Sequence, residues 1–417
     1  MTTSKLLLVL VVIFGSCTWI GTNSVWMQLP LLTSELPEGW NLPSYLSVVV
    51  QIGCIGPLIY TIVHKGCKSV QIPHTSLILS FLIFACVCQL GLAFLWKNTA
   101  VIGNRSYSIA LYLLLFGLAL VDAISNVLFM PFMAKFHPSY LNAYFVGMGF
   151  SSLIPSILAI IQGTTTYKCE GGVPHYSQPL FSTAVFFGII FVSNCISAIA
   201  FILLYRLADK KEPTEEPLQS DGEARSEIPE MLSSTEQMLS QSPERLSKSY
   251  YALVLFTVTL INAQMNGIIP SISSYAALPY SQSTYHYSVT LSNIMMPAAS
   301  FLSFFVIFRK LSILMVLSAM STCATAFLVY LAALSPSLIF DSRSVGSALS
   351  VTASLLAAGL HSYLRVSFAS RLRDCDNNES RLFWCGLFTQ IGSFIGSMIM
   401  LPLVDIAHIF KSAPPCQ

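Results

Sequence analysis

Two formal charges, Asp122 and Arg365, lie inside long apolar stretches of this sequence, together with His361 and the amides of Asn23, Asn126, Asn262, Asn266, Asn293 and Gln390. At the centre of a bilayer an ionised side chain costs roughly 2.5–3.5 kcal/mol on insertion scales, so such residues normally face a cavity or a partner. Residues three or four apart share one face of a helix. That spacing puts Trp19, Asn23 and Trp26 on one stripe, Asp122, Asn126 and Phe129 on a second, and Asn262 with Asn266 on a third. Rings stack on flat solutes and carboxamides match their donors and acceptors, so these stripes suit a neutral, planar, hydrogen-bonding solute. The same amides also suit plain hydrogen bonding between helices. Buried charges usually pair, so Asp122 and Arg365 are expected to face each other or a shared watery cavity. The alternative for Arg365, six residues before Arg371, is to snorkel to a membrane interface.

No motif supplies a reaction. The chain has no G-x-x-x-x-G-K-[ST] phosphate loop, no H-E-x-x-H and no G-x-S-x-G. Its seven histidines are scattered without ligand-like pairing. The expectation is a protein that is not an enzyme, with no cofactor and no metal.

The elements that must position these residues are membrane spans. Only 10% of the 417 residues are charged, against roughly 25% in soluble chains, too little to cover a water-exposed surface. A soluble enzyme, a disordered scaffold and a nucleic-acid binder are thereby set aside, and a net charge of +2 gives no pull toward polyanions. Eleven stretches are long and apolar enough to cross about 30 Å of hydrocarbon. They run at 6–30, 43–63, 76–96, 108–133, 139–162, 180–205, 250–273, 287–308, 311–333, 345–368 and 382–406. The fold class expected is an all-α polytopic membrane protein with eleven transmembrane helices in a 6+5 arrangement. Residues 1–206 form an N-terminal six-helix block and 249–417 a C-terminal five-helix block. The run 207–248 between them holds 10 of the 19 acidic residues and reads as a disordered cytoplasmic linker.

Basic residues concentrate on the N-terminal side of the spans. Lys5, Lys65, Lys68, Lys135, Arg206, Arg371, Arg373 and Arg381 are among them, while Lys97, Arg105, Lys168, Arg343 and Lys411 fall opposite. The asymmetry places the N-terminus in the cytoplasm and the C-terminus outside. Asn104-Arg105-Ser106, a glycosylation acceptor, then lands in an outer loop, and so do Cys169 and Cys416, a candidate disulfide. Asn23-Ser24 before Pro30 and Asn266-Gly267 before Pro270 are helix-weakening patches in corresponding first spans of the two blocks, a pattern seen near substrate sites of repeat-built transporters.

The string Glu35-Leu36-Pro37-Glu38-Gly39-Trp40, continued by Leu42-Pro43-Ser44-Tyr45-Leu46, closely resembles the animal riboflavin transporters of the solute carrier group. The resemblance continues through Phe129-Met130-Pro131-Phe132, Phe145-Val146-Gly147, Asn262, Asn266-Gly267, Pro270-Ser271, Tyr275, Tyr285-His286, Trp384-Cys385-Gly386 and Gln390. It implies a multi-pass plasma-membrane carrier, equilibrative-nucleoside-like or major-facilitator-like in fold. The carrier would take up riboflavin by alternating access, facilitative or weakly proton-linked, as a monomer in lipid with no nucleic-acid partner. Stacking would then fall to Trp19, Trp26, Phe129 or Phe145, and polar contacts to Asn23, Asp122, Asn126, Asn262, Asn266, Tyr275, Arg365 and Gln390. Glu35, Glu38 and His286 are either gating and proton-linked groups or ordinary loop and interface residues. The family pattern has an acid where this chain has Gln28, and Glu or Gln at Met148, which weakens proton acceptance at position 28. The alternatives are a carrier for nucleosides or another planar heterocycle, and a surface protein serving as a viral receptor.

Overall fold

Backbone groups in lipid have no water to bond, so helices that satisfy them internally are the natural outcome of these apolar stretches. The computed structural model describes residues 5–39, 42–66, 73–103, 105–163, 167–170, 173–176, 178–209, 247–308, 310–374 and 378–411. The first expected span is broken into α1 (Lys5–Ser16), α2 (Ile20–Met27) and α3 (Leu29–Glu35), and the second into α4 (Leu42–Gly53) and α5 (Gly56–Gly66). Four continuous helices follow: α6 (His74–Leu95), α7 (Ile109–Phe132), α8 (Pro138–Gln162) and α9 (Thr183–Asp209). Beyond the 207–248 run, most of which lies outside the described residues, come α10 (Lys248–Ala263), α11 (Ile269–Ala277) and α12 (Gln282–Leu302). The chain then forms α13 (Leu311–Leu334), α14 (Arg343–Arg373) and α15 (Asn378–Leu401). Two antiparallel hairpins cap the opposite end from Lys5, pairing Ala100–Ile102 with Arg105–Tyr107 and Tyr167–Glu170 with Val173–Tyr176. Asn104 and Cys416 lie outside the described residues, and the pairing of Cys169 with Cys416 falls with them.

Among the described residues nine helices are long and apolar enough to span a membrane, ten if the bent pair α1–α2 counts as one. The expected eleventh is α12. Its 21 residues have the length, but Gln282, Thr284, His286, Ser288, Thr290 and Asn293 leave it short of apolar character.

The breaks have local causes. At the α1–α2 junction three successive side chains bond back three residues: Ser16 Oγ to the Ile13 carbonyl (2.7 Å), Cys17 Sγ to Phe14 (2.9 Å) and Thr18 Oγ1 to Gly15 (2.9 Å). These compete with the main-chain ladder, and the axis turns by 51°. Between α10 and α11, Gln264–Ile268 widens into one π-helical turn ahead of Pro270, which has no N–H to continue the ladder.

Packing of the apolar faces is uneven along the bundle. One end, carrying Lys5, Arg206, Lys248, Lys310, Arg371, Arg373 and Arg381, has a single core that draws on both halves of the chain: Phe14, Phe129 and Tyr144 lie in it with Leu364, Phe368 and Leu382. Toward the hairpin end the core divides. Ile20, Val25, Leu46, Leu92, Leu115 and Phe186 form a cluster from the N-terminal helices alone, and Ile272, Tyr280, Leu328, Ala353 and Met400 one from the C-terminal helices alone. The joined end needs close helix approach, and small residues provide it. A Cβ on Gly147 would collide with the Val12 carbonyl of α1, and one on Gly386 with the Asn126 carbonyl of α7.

At the hairpin end Glu38 closes the start of α7. Its carboxylate accepts from the Ser108 N–H (2.6 Å), the Ser108 hydroxyl (2.8 Å) and the Tyr112 hydroxyl (2.6 Å). Burial alone would push this carboxyl up, but the bonds from Tyr112 and Ser108 outweigh it and hold the group below the ordinary glutamate value. Glu35 forms an ion pair with Lys97 after α6.

Two outcomes follow for the folded state. Gly147→Ala should lower the melting temperature in detergent, at a cost of roughly 1–3 kcal/mol for overpacking, whereas Gly188→Ala, with nothing within 4 Å of the added carbon, should leave it unchanged. Because the Glu38 value is depressed in the folded protein, its contribution is present above the unfolded carboxylate value of about 4.3 and fades as pH falls through the lower folded value. Glu38→Gln should therefore destabilise at pH 7 and have progressively less effect as the medium is taken below about pH 4, read as melting temperature against pH.

Candidate functional site at the seam between the helix sets

The place where the shared core gives way to two separate ones is bounded by α2 and α8 on one side and by α12, α14, α15 and the π turn on the other. Three contacts between the two halves of the chain form its floor. Asn126 of α7 donates to Gln390 Oε1 of α15 (3.0 Å), and Gln390 in turn donates to the Cys54 sulfur between α4 and α5 (2.9 Å). The Arg365 guanidinium of α14 lies over the Phe145 ring of α8, 5.9 Å from its centroid. Deeper in the joined end, Asn142 donates to the Ser303 carbonyl (3.4 Å) and accepts from Ser370 (3.1 Å), while His74 Nδ1 stands 3.7 Å from Glu379. Trp19, Asn23 and Trp26 on the N-terminal helices and Met265 and Asn293 on the C-terminal ones are half-buried, and Asn266 is exposed. Asn23 donates to the Ser151 carbonyl of α8 (3.2 Å). Asn293 donates to the Ser156 hydroxyl (2.6 Å), which itself reaches the Met27 sulfur (3.4 Å).

Other expected residues have different surroundings. Phe129 is fully buried, its ring 5.1 Å from that of Phe14. Asn262 is fully buried on α10, donating to the Val258 carbonyl (2.8 Å) and Thr389 (3.5 Å), and Asn266 donates to Ser393 (2.9 Å). Both amides thus face α15, where Gly392 and Gly396 bring the backbones together, a small-residue pairing typical of membrane helices. Tyr275 packs against Phe410 (5.7 Å) in the C-terminal core, and His286 is half-buried beside Tyr287. Glu35 and Glu38 are engaged with Lys97 and the start of α7.

The expected facing of Asp122 and Arg365 is not what the fold provides. Asp122 is 2% exposed beside Thr22, because α2 packs over its face of α7; its Oδ2 accepts no hydrogen bond. No ion pair joins it to Arg365 among the described residues. Arg365 does not snorkel either: it is held at the seam by Phe145 and, weakly, by the Met265 sulfur at 4.0 Å.

Sequence reasoning missed how the polar residues of the C-terminal helices interlock. Gln264 in the π turn donates to Thr322 (3.0 Å) and meets His361 Nε2 (3.0 Å), and Ser300 pairs with Ser362 (2.9 Å). The serines and threonines carry no spacing signal of their own, so only the fold reveals them. Asn142 and Ser156 were equally unmarked, though each is a polar residue within an apolar run, and the partner of Asn293 was not legible.

Comparison with known proteins agrees with this architecture. The sequence family described as solute carrier family 52, riboflavin transporter, matches residues 3–412. The chain is 54% identical to riboflavin transporter rft-2 and 55% identical to riboflavin transporter rft-1 of Caenorhabditis elegans, in each case across 98% of both chains. It is 32% identical to the human solute carrier family 52, riboflavin transporter, member 3, over 98% of this chain and 97% of that one. In fold it is similar to major facilitator transporters. The proton:xylose symporter XylE superposes with a TM-score of 0.59 at 12% identity, over 97% of this chain and 90% of that one. FucP in its outward conformation gives 0.55 at 15% identity, over 96% and 91%. With all-helical architecture, a two-sided seam and a family match over nearly its whole length, this chain is a multi-pass membrane transporter and not an enzyme, and it belongs to the solute carrier family 52 riboflavin transporters.

Proposed function

We propose that this chain carries riboflavin across the plasma membrane by alternating access, its six-helix and five-helix blocks rocking about the seam, with α12 as the eleventh span. The N-terminus is cytoplasmic in this reading and the C-terminus extracellular, as the clustering of basic residues at one end supports. One observation carries the proposal: polar and aromatic contacts join the two halves at the seam, Asn126 with Gln390, Arg365 over Phe145 and Asn293 with Ser156, while Trp19, Asn23 and Trp26 stay half-buried on the N-terminal helices. Riboflavin presents what such a lining recognises, an uncharged aromatic plate with carbonyl and imide groups and a hydroxylated chain. The common core at the basic end and the divided cores at the other support an outward-facing arrangement. In it, Asn126–Gln390 and Asn142–Ser370 are inner-gate contacts that must part for release. Glu35 and Glu38 hold the outer end of the N-terminal block in place, and the chain works as a monomer.

Expressed in cells, the protein should raise uptake of radiolabelled riboflavin well above vector control, and excess unlabelled nucleosides should not compete. Surface-exposed protein with no uptake defeats the reading, and competition by nucleosides would transfer it to them. The gate is tested separately at Cys385, a buried free thiol on α15 at the joined end. Removing about 1 kcal/mol of hydrogen bonding with Asn126→Ala and Asn142→Ala should speed labelling of Cys385 about fivefold from the basic side, measured by mass spectrometry. Unchanged labelling would remove these contacts from the gate.

A further inference from the structure

Arg365 is a cation within the span formed by α14. No carboxylate pairs with it among the described residues, and its polar contact is the Met265 sulfur at 4.0 Å, a weak acceptor at a long distance. The Phe145 ring takes one face of the guanidinium, and the side chain is half-buried. The ionisable groups nearest it are the Tyr144 hydroxyl and the Cys385 thiol, neither of them a carboxylate. A guanidinium offers five N–H donors in a rigid planar fork. Such a group is kept inside a membrane where something else completes it.

The partner that fits is neutral and planar. A phosphate is commonly clamped by several charges, whereas the remaining described cations sit at the two ends of the bundle and Arg365 stands alone on the seam. A single fork beside an aromatic ring suits a pair of in-plane acceptors on a heterocycle, as in the bidentate contact of Arg with the O6 and N7 atoms of guanine. Riboflavin carries the same arrangement: its C4 carbonyl oxygen and N5 are separated by two carbons, as O6 and N7 are. Resting on the riboflavin reading above, we infer that Arg365 is the specificity-determining residue that orients the flavin, its guanidinium donating to the C4 carbonyl oxygen and N5 while Phe145 supports the fork from behind.

The test is uptake by cells expressing the full chain, with 5-deazariboflavin (N5 replaced by C–H), 1-deazariboflavin and flavin mononucleotide as competitors of labelled riboflavin. Wild type should bind 5-deazariboflavin about tenfold more weakly than riboflavin, and 1-deazariboflavin as well as riboflavin. Arg365→Lys, which keeps the charge but loses the fork, should raise KM for riboflavin about tenfold and abolish the discrimination against 5-deazariboflavin. Arg365→Ala should do the same, and if it does not reach the surface the lysine variant and the wild-type competition series still decide. Discrimination against 1-deazariboflavin instead, an unchanged KM in Arg365→Lys, or a preference for flavin mononucleotide that disappears with Arg365 would each overturn the inference. None of these touches the broader reading, which fails only if wild type takes up no riboflavin.

Discussion

Everything in this fold depends on two sets of helices being packed as one body at one end and as two at the other. The shared core around Phe14, Phe129, Phe368 and Leu382 excludes solvent and fixes the sets against each other. Beyond the floor made by Asn126, Gln390, Phe145 and Arg365 the described residues form no common apolar cluster to do so. Hydrocarbon gives helices no hydrophobic reason to associate, so the joined end is held by close approach and hydrogen bonds instead. Gly149 against Pro297 of α12, Gly386 against α7, and the Asn142–Ser370 bond supply both. Contacts of this kind are individually worth about 1 kcal/mol, which is the scale on which a carrier must exchange one arrangement for another.

The polar residues divide by the job they do. Asn262 and Asn266 join α10 and the π turn to α15, and Gln264 joins the same turn to α13 and α14. These bonds keep the C-terminal set rigid. Asn126, Asn142 and Asn293 bond across the two sets, where a bond can be made in one state and lost in another. The distinction is one of address rather than residue type.

Much of this was legible in the sequence. The apolar stretches at 108–133 and 139–162 match α7 and α8 within a residue, because hydropathy over 20 residues is a strong signal. The weak patch at Asn266-Gly267-Pro270 became a π turn. The polar first turns of α12 hid where it starts: the stretch expected at 287–308 is a helix over Gln282–Leu302, whose serines, threonines and amides leave it short of the apolar character of a span. Rotation of each helix about its axis was not legible. Asp122 and Asn126 share a stripe, yet α2 covers the first while the second meets Gln390; one turn of height separates an interior carboxyl from a seam amide. The pairing of Asp122 with Arg365 failed for that reason, since charge gives no clue to which neighbour lies over a face. Residues whose role comes from partners distant in sequence, such as Ser370 and Ser156, had no local mark at all.

The three consecutive back-bonding side chains at Ser16, Cys17 and Thr18 carry a mechanical meaning. A kink made by proline leaves a carbonyl stranded; here each freed oxygen is already occupied by a hydroxyl or thiol from the next turn. The joint is closed twice over, since the Cys17 and Thr18 N–H groups also bond the Phe14 and Gly15 carbonyls. The bend therefore sends Asn23 and Trp26 off the line of α1 at a set angle, with Ile20 and Val25 seating that segment in the N-terminal core.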